Sequence, residues 1–146
     1  MPEIPQTTPN QLYRQDFTIP PQAIDENGHV NNVHYVQWMQ DVAVQHYAAL
    51  GGLPPTQAIG ATWVVRSHTI EYFNPAFAGE QIEIRTWVVN LRRVRSLRRY
   101  EFIRKVDNRL LVKGETDWVL VDASTGRPVA IPENILNLFT LLPDEK

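Results

Sequence analysis

NVHYVQWMQDVAVQHYAAL, residues Asn32 to Leu50, decides the architecture. Val33, Val36, Met39, Ala43, Tyr47 and Leu50 recur every three to four positions, and this rhythm predicts a helix. Trp38, Val42, Val44, Ala48 and Ala49 widen the apolar face until it runs nearly all round. A helix of that kind is expected to be buried. Gly51-Gly52 caps it, and Pro54-Pro55 forbids its continuation.

The pattern on either side of this helix is extended. Leu12 to Ile19 reads as a short strand stopped by Pro20-Pro21, after a loose polar tail of residues 1 to 11. Downstream, Thr62–Phe73 is rich in β-branched and aromatic residues and ends at Asn74-Pro75. Gln81–Leu91 alternates Ile82, Ile84 and Trp87 with polar neighbours. The run RRVRSLRR reads as a hairpin turn into a strand at Tyr100–Val106, which turns at Asp107-Asn108. Leu110–Asp122 is closed by Ser124-Thr125-Gly126, and Pro132 opens a last helix, ENILNLFTLL.

Four consecutive strands with short turns predict an antiparallel meander. Its apolar face needs a cover, and the buried helix is the element available to supply one. The expected class is therefore α+β, an antiparallel sheet wrapped around a long central helix, which is the hot-dog architecture. Residues 12–146 are expected to form that single domain.

Composition narrows the function. The 146 residues suit one well-packed core, and a formal net charge of -2 argues against a general nucleic-acid binder. With no cysteine there is no disulfide, thiolate metal site or cysteine nucleophile, which is compatible with a cytoplasmic location. The N-terminal stretch MPEIPQTTPNQ lacks the apolar core of a signal peptide, and no segment approaches the roughly 20 apolar residues of a membrane span.

Chemistry is concentrated just before the helix. AIDENGHVNNVHY, Ala23 to Tyr35, gathers Asp25, Glu26, Asn27, His29, Asn31, Asn32 and His34 in one turn-like stretch. Taken alone, Asp25 is as well suited to a turn or a helix cap as to catalysis. His29 and His34 are five apart, off a common helical face, and no H-E-x-x-H is present, so no metal site is expected. No G-x-S-x-G elbow or phosphate-binding glycine loop occurs.

The stretch D-E-N-G-H-V-N-N-x-x-Y resembles the active-site segment of the 4-hydroxybenzoyl-CoA thioesterase family of hot-dog proteins. Asp25 and Gly28 match its D-x-x-G, and Tyr35 its first-turn tyrosine. The segment is also similar to plant and bacterial acyl-carrier-protein thioesterases. Ile70–Ile84 and Asp117–Glu133 resemble later strands of these enzymes. The resemblance implies a thioesterase that cleaves acyl-CoA, or an acyl-carrier-protein thioester, with no cofactor beyond the coenzyme of the substrate. It implies Asp25 as general base or nucleophile, the Asn32 amide as oxyanion donor, and Asn27 and His29 as orienting groups. It also implies a homodimer, or a tetramer built as a pair of dimers, with sites that straddle two subunits.

Other features bear on the partner. Carrier-protein thioesterases keep a polar catalytic residue just after the second strand's "L-E-Y", where this chain has Pro75 and Ala76; that favours acyl-CoA. Arg93, Arg95 and Arg98 suit either a solvated turn or a clamp for CoA phosphates, with Ser96 near the pantetheine arm. A hydratase on the same fold, or a non-catalytic acyl-thioester binder, are the competing readings. Gly28 and His29 do not fit the first, and the second has no need of Asp25.

Overall fold

A computed structural model describes residues 11 to 143. The strands are β1 (Leu12–Thr18), β2 (Ala61–Tyr72), β3 (Gln81–Arg92), β4 (Arg95–Arg104) and β5 (Arg109–Asp122). The helices are α1 (Asn32–Ala49), α2 (Leu53–Ala58) and α3 (Glu133–Leu136). The expected N-terminal tail lies outside the described residues except for Gln11, which stands in the turn before β1.

All pairings are antiparallel, and the strand order is β1-β3-β4-β5-β2. The expected four-strand meander is therefore corrected: only β3, β4 and β5 follow one another across the sheet. β2 pairs with β5, Ala61 opposite Asp122, while β1 takes the other flank of β3, Leu12 opposite Trp87. The chain between β2 and β3 crosses over instead of making a hairpin. Along it, the Phe73 and Asn74 amides bond back to the Leu111 carbonyl.

α1 begins where Asn31 caps it, its side chain accepting from the Val33 N–H at 3.0 Å. Tyr35, Met39, Val42 and Ala43 pack against Ile82, Ile84, Tyr100, Phe102, Leu111 and Val112 of the sheet. Burying each large side chain of this cluster contributes about 1.5–3 kcal/mol. Gly114 of β5 sits beneath Met39: a Cβ there would lie 2.7 Å from the Met39 sulfur. A glycine at this position lets the helix approach the sheet. A second cluster joins Tyr47 to Ala61, Leu120, Ile131 and Ile135.

α1 is not buried all round, as its composition suggested. Val33 is 70% exposed and Val44 53%, because the single sheet layer covers one side of the helix only. Two further boundaries differ from expectation. The arginine run is not a turn: β3 continues to Arg92 and β4 starts at Arg95, so only Arg93 and Val94 connect them. α3 is confined to Glu133–Leu136, shorter than the ENILNLFTLL pattern. The two prolines that stop α1 stand in the first turn of the unexpected α2, where a missing N–H costs nothing.

Candidate active site

The loop before α1 is held as a tight, hairpin-like turn. Ile24 and Val30 form a bridge, the Asp25 N–H donates to the His29 carbonyl at 3.0 Å, and the Gly28 N–H donates to the Asp25 carbonyl at 3.0 Å. Asp25 Oδ1 accepts from the Asn27 N–H at 2.9 Å. Gly28 has φ +86°, in the region that favours glycine, which explains the residue at the turn. The Val30 amide then bonds the Ala76 carbonyl at 2.9 Å, fastening this loop to the crossover after β2.

A cleft of about 300 Å³ opens between the start of α1 and that crossover. His29, Asn32, Tyr35, Tyr72, Phe73 and Pro75 are among its walls. Burial, with Tyr72 and Glu80 adding to it, pushes the Tyr35 hydroxyl far above its ordinary value, so Tyr35 is a neutral wall. Its ring meets Trp38, Tyr72 and Phe102 edge-on.

At the helix start the Val33 N–H goes to the Asn31 side chain and the His34 N–H to the Asn31 carbonyl. The Asn32 N–H makes no hydrogen bond among the described residues. It therefore stands as a free donor at the positive end of an 18-residue helix. Donors of this kind stabilise an oxygen that gains negative charge.

The structure thus brings His29, Asn32 and Tyr35 to one cleft. Asp25, half-buried in the adjoining turn, is joined to that cleft through the backbone bond to His29. Asn27 is exposed, and its backbone N–H rather than its side chain engages Asp25. Among the described residues, no three His, Asp or Glu side chains are grouped to hold a metal ion.

The expected arginine clamp does not assemble. Arg93 is exposed at the turn between β3 and β4, with φ 51°. Arg95 points to the other face of β4 and is gripped by both Asp117 oxygens. Ser96 and Arg98 lie inward beneath the second half of α1, 6% and 4% exposed. Alternation along β4 separates them: Ser96, Arg98, Tyr100 and Phe102 face in, while the residues between face out. That period of two, continued back from Tyr100 and Phe102, was the available signal for Arg98.

A five-stranded antiparallel sheet carrying one long helix, with a polar loop at the helix start, defines a hot-dog protein. The chain belongs to the thioesterase-like superfamily, whose profile matches residues 19–139. It is 28% identical over 132 residues to the acyl-CoA thioester hydrolase YbgC of Escherichia coli, covering 88% of this chain and 96% of that one. Among solved structures, the hypothetical protein SAV2348 of Staphylococcus aureus, in complex with CoA, superposes with a TM-score of 0.80 at 19% identity. That match covers 88% of this chain and 81% of the other. An acyl-ACP thioesterase from Bacteroides thetaiotaomicron gives 0.82 at 21% identity, over 96% of this chain and 57% of its own. No helix among the described residues is long and apolar enough to cross a membrane.

Proposed function

We propose that this protein is a thioester hydrolase that converts acyl-CoA to the free acid and coenzyme A. Asp25 activates a water or attacks the thioester carbonyl itself, and the Asn32 N–H receives the developing oxyanion. His29 and Asn27 keep Asp25 and the water in place. Tyr35 and Gly28 shape the acyl end of the cleft and the turn beside it. Of Arg93, Arg95 and Arg98, Arg93 is the one neither buried nor held by a carboxylate among the described residues, which leaves it for a CoA phosphate. The reaction needs no metal or organic cofactor beyond the coenzyme on the substrate.

The observation that carries this reading is the unpaired Asn32 amide at the mouth of a cleft fastened to the Asp25 turn. Membership of the thioesterase-like superfamily and similarity to an acyl-CoA thioester hydrolase support it. Pro75 and Ala76 at the cleft favour CoA over a carrier-protein thioester. The working unit is a homodimer or a pair of dimers: β2 is an edge strand, and Val33 and Val44 are exposed on α1.

The test is free-thiol release from short, long and aromatic acyl-CoAs by wild type and Asp25→Asn. Asparagine can still accept the Asn27 N–H, so the turn survives while the carboxylate is lost. A drop of about a hundredfold or more is expected, as for loss of a general base. Equal rates would reduce Asp25 to a turn residue and remove it from the chemistry.

A further inference from the structure

A second cavity lies at the opposite end of α1 from the cleft, about 220 Å³ in volume, between α1, the start of β2 and the inward face of β4. Tyr47, Trp63, Trp118 and Phe139 give it aromatic walls, and Ser96 and Arg98 supply polar groups. Arg98 Nη1 donates to His46 Nδ1 at 2.9 Å and to Thr86 Oγ1 at 3.0 Å. Both acceptors are neutral groups. Among the described residues no carboxylate lies within ion-pairing distance of Arg98. Its Nε and Nη2 make no hydrogen bond among them either.

This is an unusual place to leave a charge. Burying a cation without a partner is expensive, and proteins ordinarily supply a carboxylate. Burial pushes the Arg98 guanidinium down to about 10, the nearby Tyr100 hydroxyl offsetting this only in part, yet it remains charged at neutral pH. The unused side of the guanidinium, Nε with Nη2, is the edge that grips a carboxylate through two parallel bonds. Another donor in the cavity wall, Trp63 Nε1–H, is buried and has no acceptor.

We infer that this cavity binds an organic acid with an apolar body, its carboxylate held by Arg98 and its body stacked among Trp63, Trp118 and Tyr47. Two sources share that chemistry. One is a free carboxylic acid. The other is an acyl group whose far end bears a carboxylate while its thioester is held elsewhere. The first does not depend on the thioesterase reading; the second does.

Trp63 and Trp118 line the cavity, so binding is followed directly by tryptophan fluorescence of the full chain. Benzoate, phenylacetate and hexanoate are titrated beside their neutral amides. Saturable quenching by the acids, at least tenfold weaker for the amides and for Arg98→Met, is expected. Gln57→Glu, on the exposed rim, keeps the core intact and is expected to weaken acid binding severalfold by repulsion. In the kinetic arm, adipoyl-CoA is compared with hexanoyl-CoA. A kcat/KM preference for adipoyl-CoA over hexanoyl-CoA that falls to about one in Arg98→Met assigns the acid to the acyl group. Acid binding without that preference assigns it to a free acid. Equal binding of acids and amides, acid binding unchanged in both variants, or no binding together with no adipoyl preference overturns the inference. Loss of all turnover in Asp25→Asn bears on the thioesterase reading alone.

Discussion

Arg98 Nη1 donates to His46 Nδ1 across 2.9 Å, tying the middle of β4 to the last turn of α1. A guanidinium carries only donors, so His46 Nδ1 must be the acceptor and the ring is neutral with its proton on Nε2. Two-bond ¹⁵N–¹H correlation at neutral pH is therefore expected to find Nδ1 without a proton. A protonated Nδ1 would mean the two groups repel and that the contact does not form in solution.

Gly28 and Gly79 make a matched pair for testing the Asp25 turn. Their φ angles are +86° and +85°, and a Cβ added at either meets nothing within 4 Å. Alanine should therefore cost only the backbone conformation, about 1–2 kcal/mol at each site. Melting temperatures of Gly28→Ala and Gly79→Ala are expected to fall by similar amounts, a few degrees. Thiol release should drop further in Gly28→Ala alone, since that turn aims Asp25. Matching activities in the two variants would contradict a role for the turn.

Gly114→Ala should destabilise by about 1–3 kcal/mol, because the new methyl overlaps the Met39 thioether and nears Tyr100 Cδ1 at 3.3 Å. Shortening the helix side chain should relieve the clash. In denaturant unfolding, Gly114→Ala with Met39→Val is expected to lose less than the sum of the single losses. Strict additivity would show that α1 does not rest on this strand as described.

His68 gives the fold a pH dependence of known sign. Its Nδ1 lies 2.8 Å from Thr116 Oγ1, and burial lowers its pKa below the ordinary 6.5. Below pH of about 6.5 the unfolded chain takes up a proton that the folded chain resists. Stability from this group is thus complete above that pH and declines as the solution is acidified. Urea midpoints between pH 8 and 5 should fall less steeply for His68→Gln than for wild type.

Helix and strand positions were legible in the sequence because periodicity is local: Met39, Val42 and Ala43 mark a helix face, and Ile82 and Ile84 a strand face. The strand order was not. Nothing in Thr62–Phe73 says that its partner is β5, since pairing between distant strands leaves no mark on either alone. The polar loop was legible as a candidate site, with Asp25 and Gly28 marked only by the D-x-x-G resemblance; the positive φ of Gly28 came from the fold. The arginine run misled because charge was read before alternation, and an inward arginine is rare enough to override neither habit nor average. The exposure of Val33 and Val44 was equally hidden: composition shows how much of a helix is apolar, not how many sides the fold covers.

The crossover of β2 has a consequence for how the chain is made. β1 can find β3 once Arg92 has been synthesised, but Ala61 waits for Asp122, the last residue of β5. At ordinary elongation rates β2 therefore emerges from the ribosome and stands unpaired for on the order of seconds. Trp63, Val65 and Ile70 are offered to chaperones, or to neighbouring nascent chains, throughout that interval. Yield in the cell should accordingly depend on translation speed between Phe73 and Arg109, a stretch that contains none of the proposed catalytic groups.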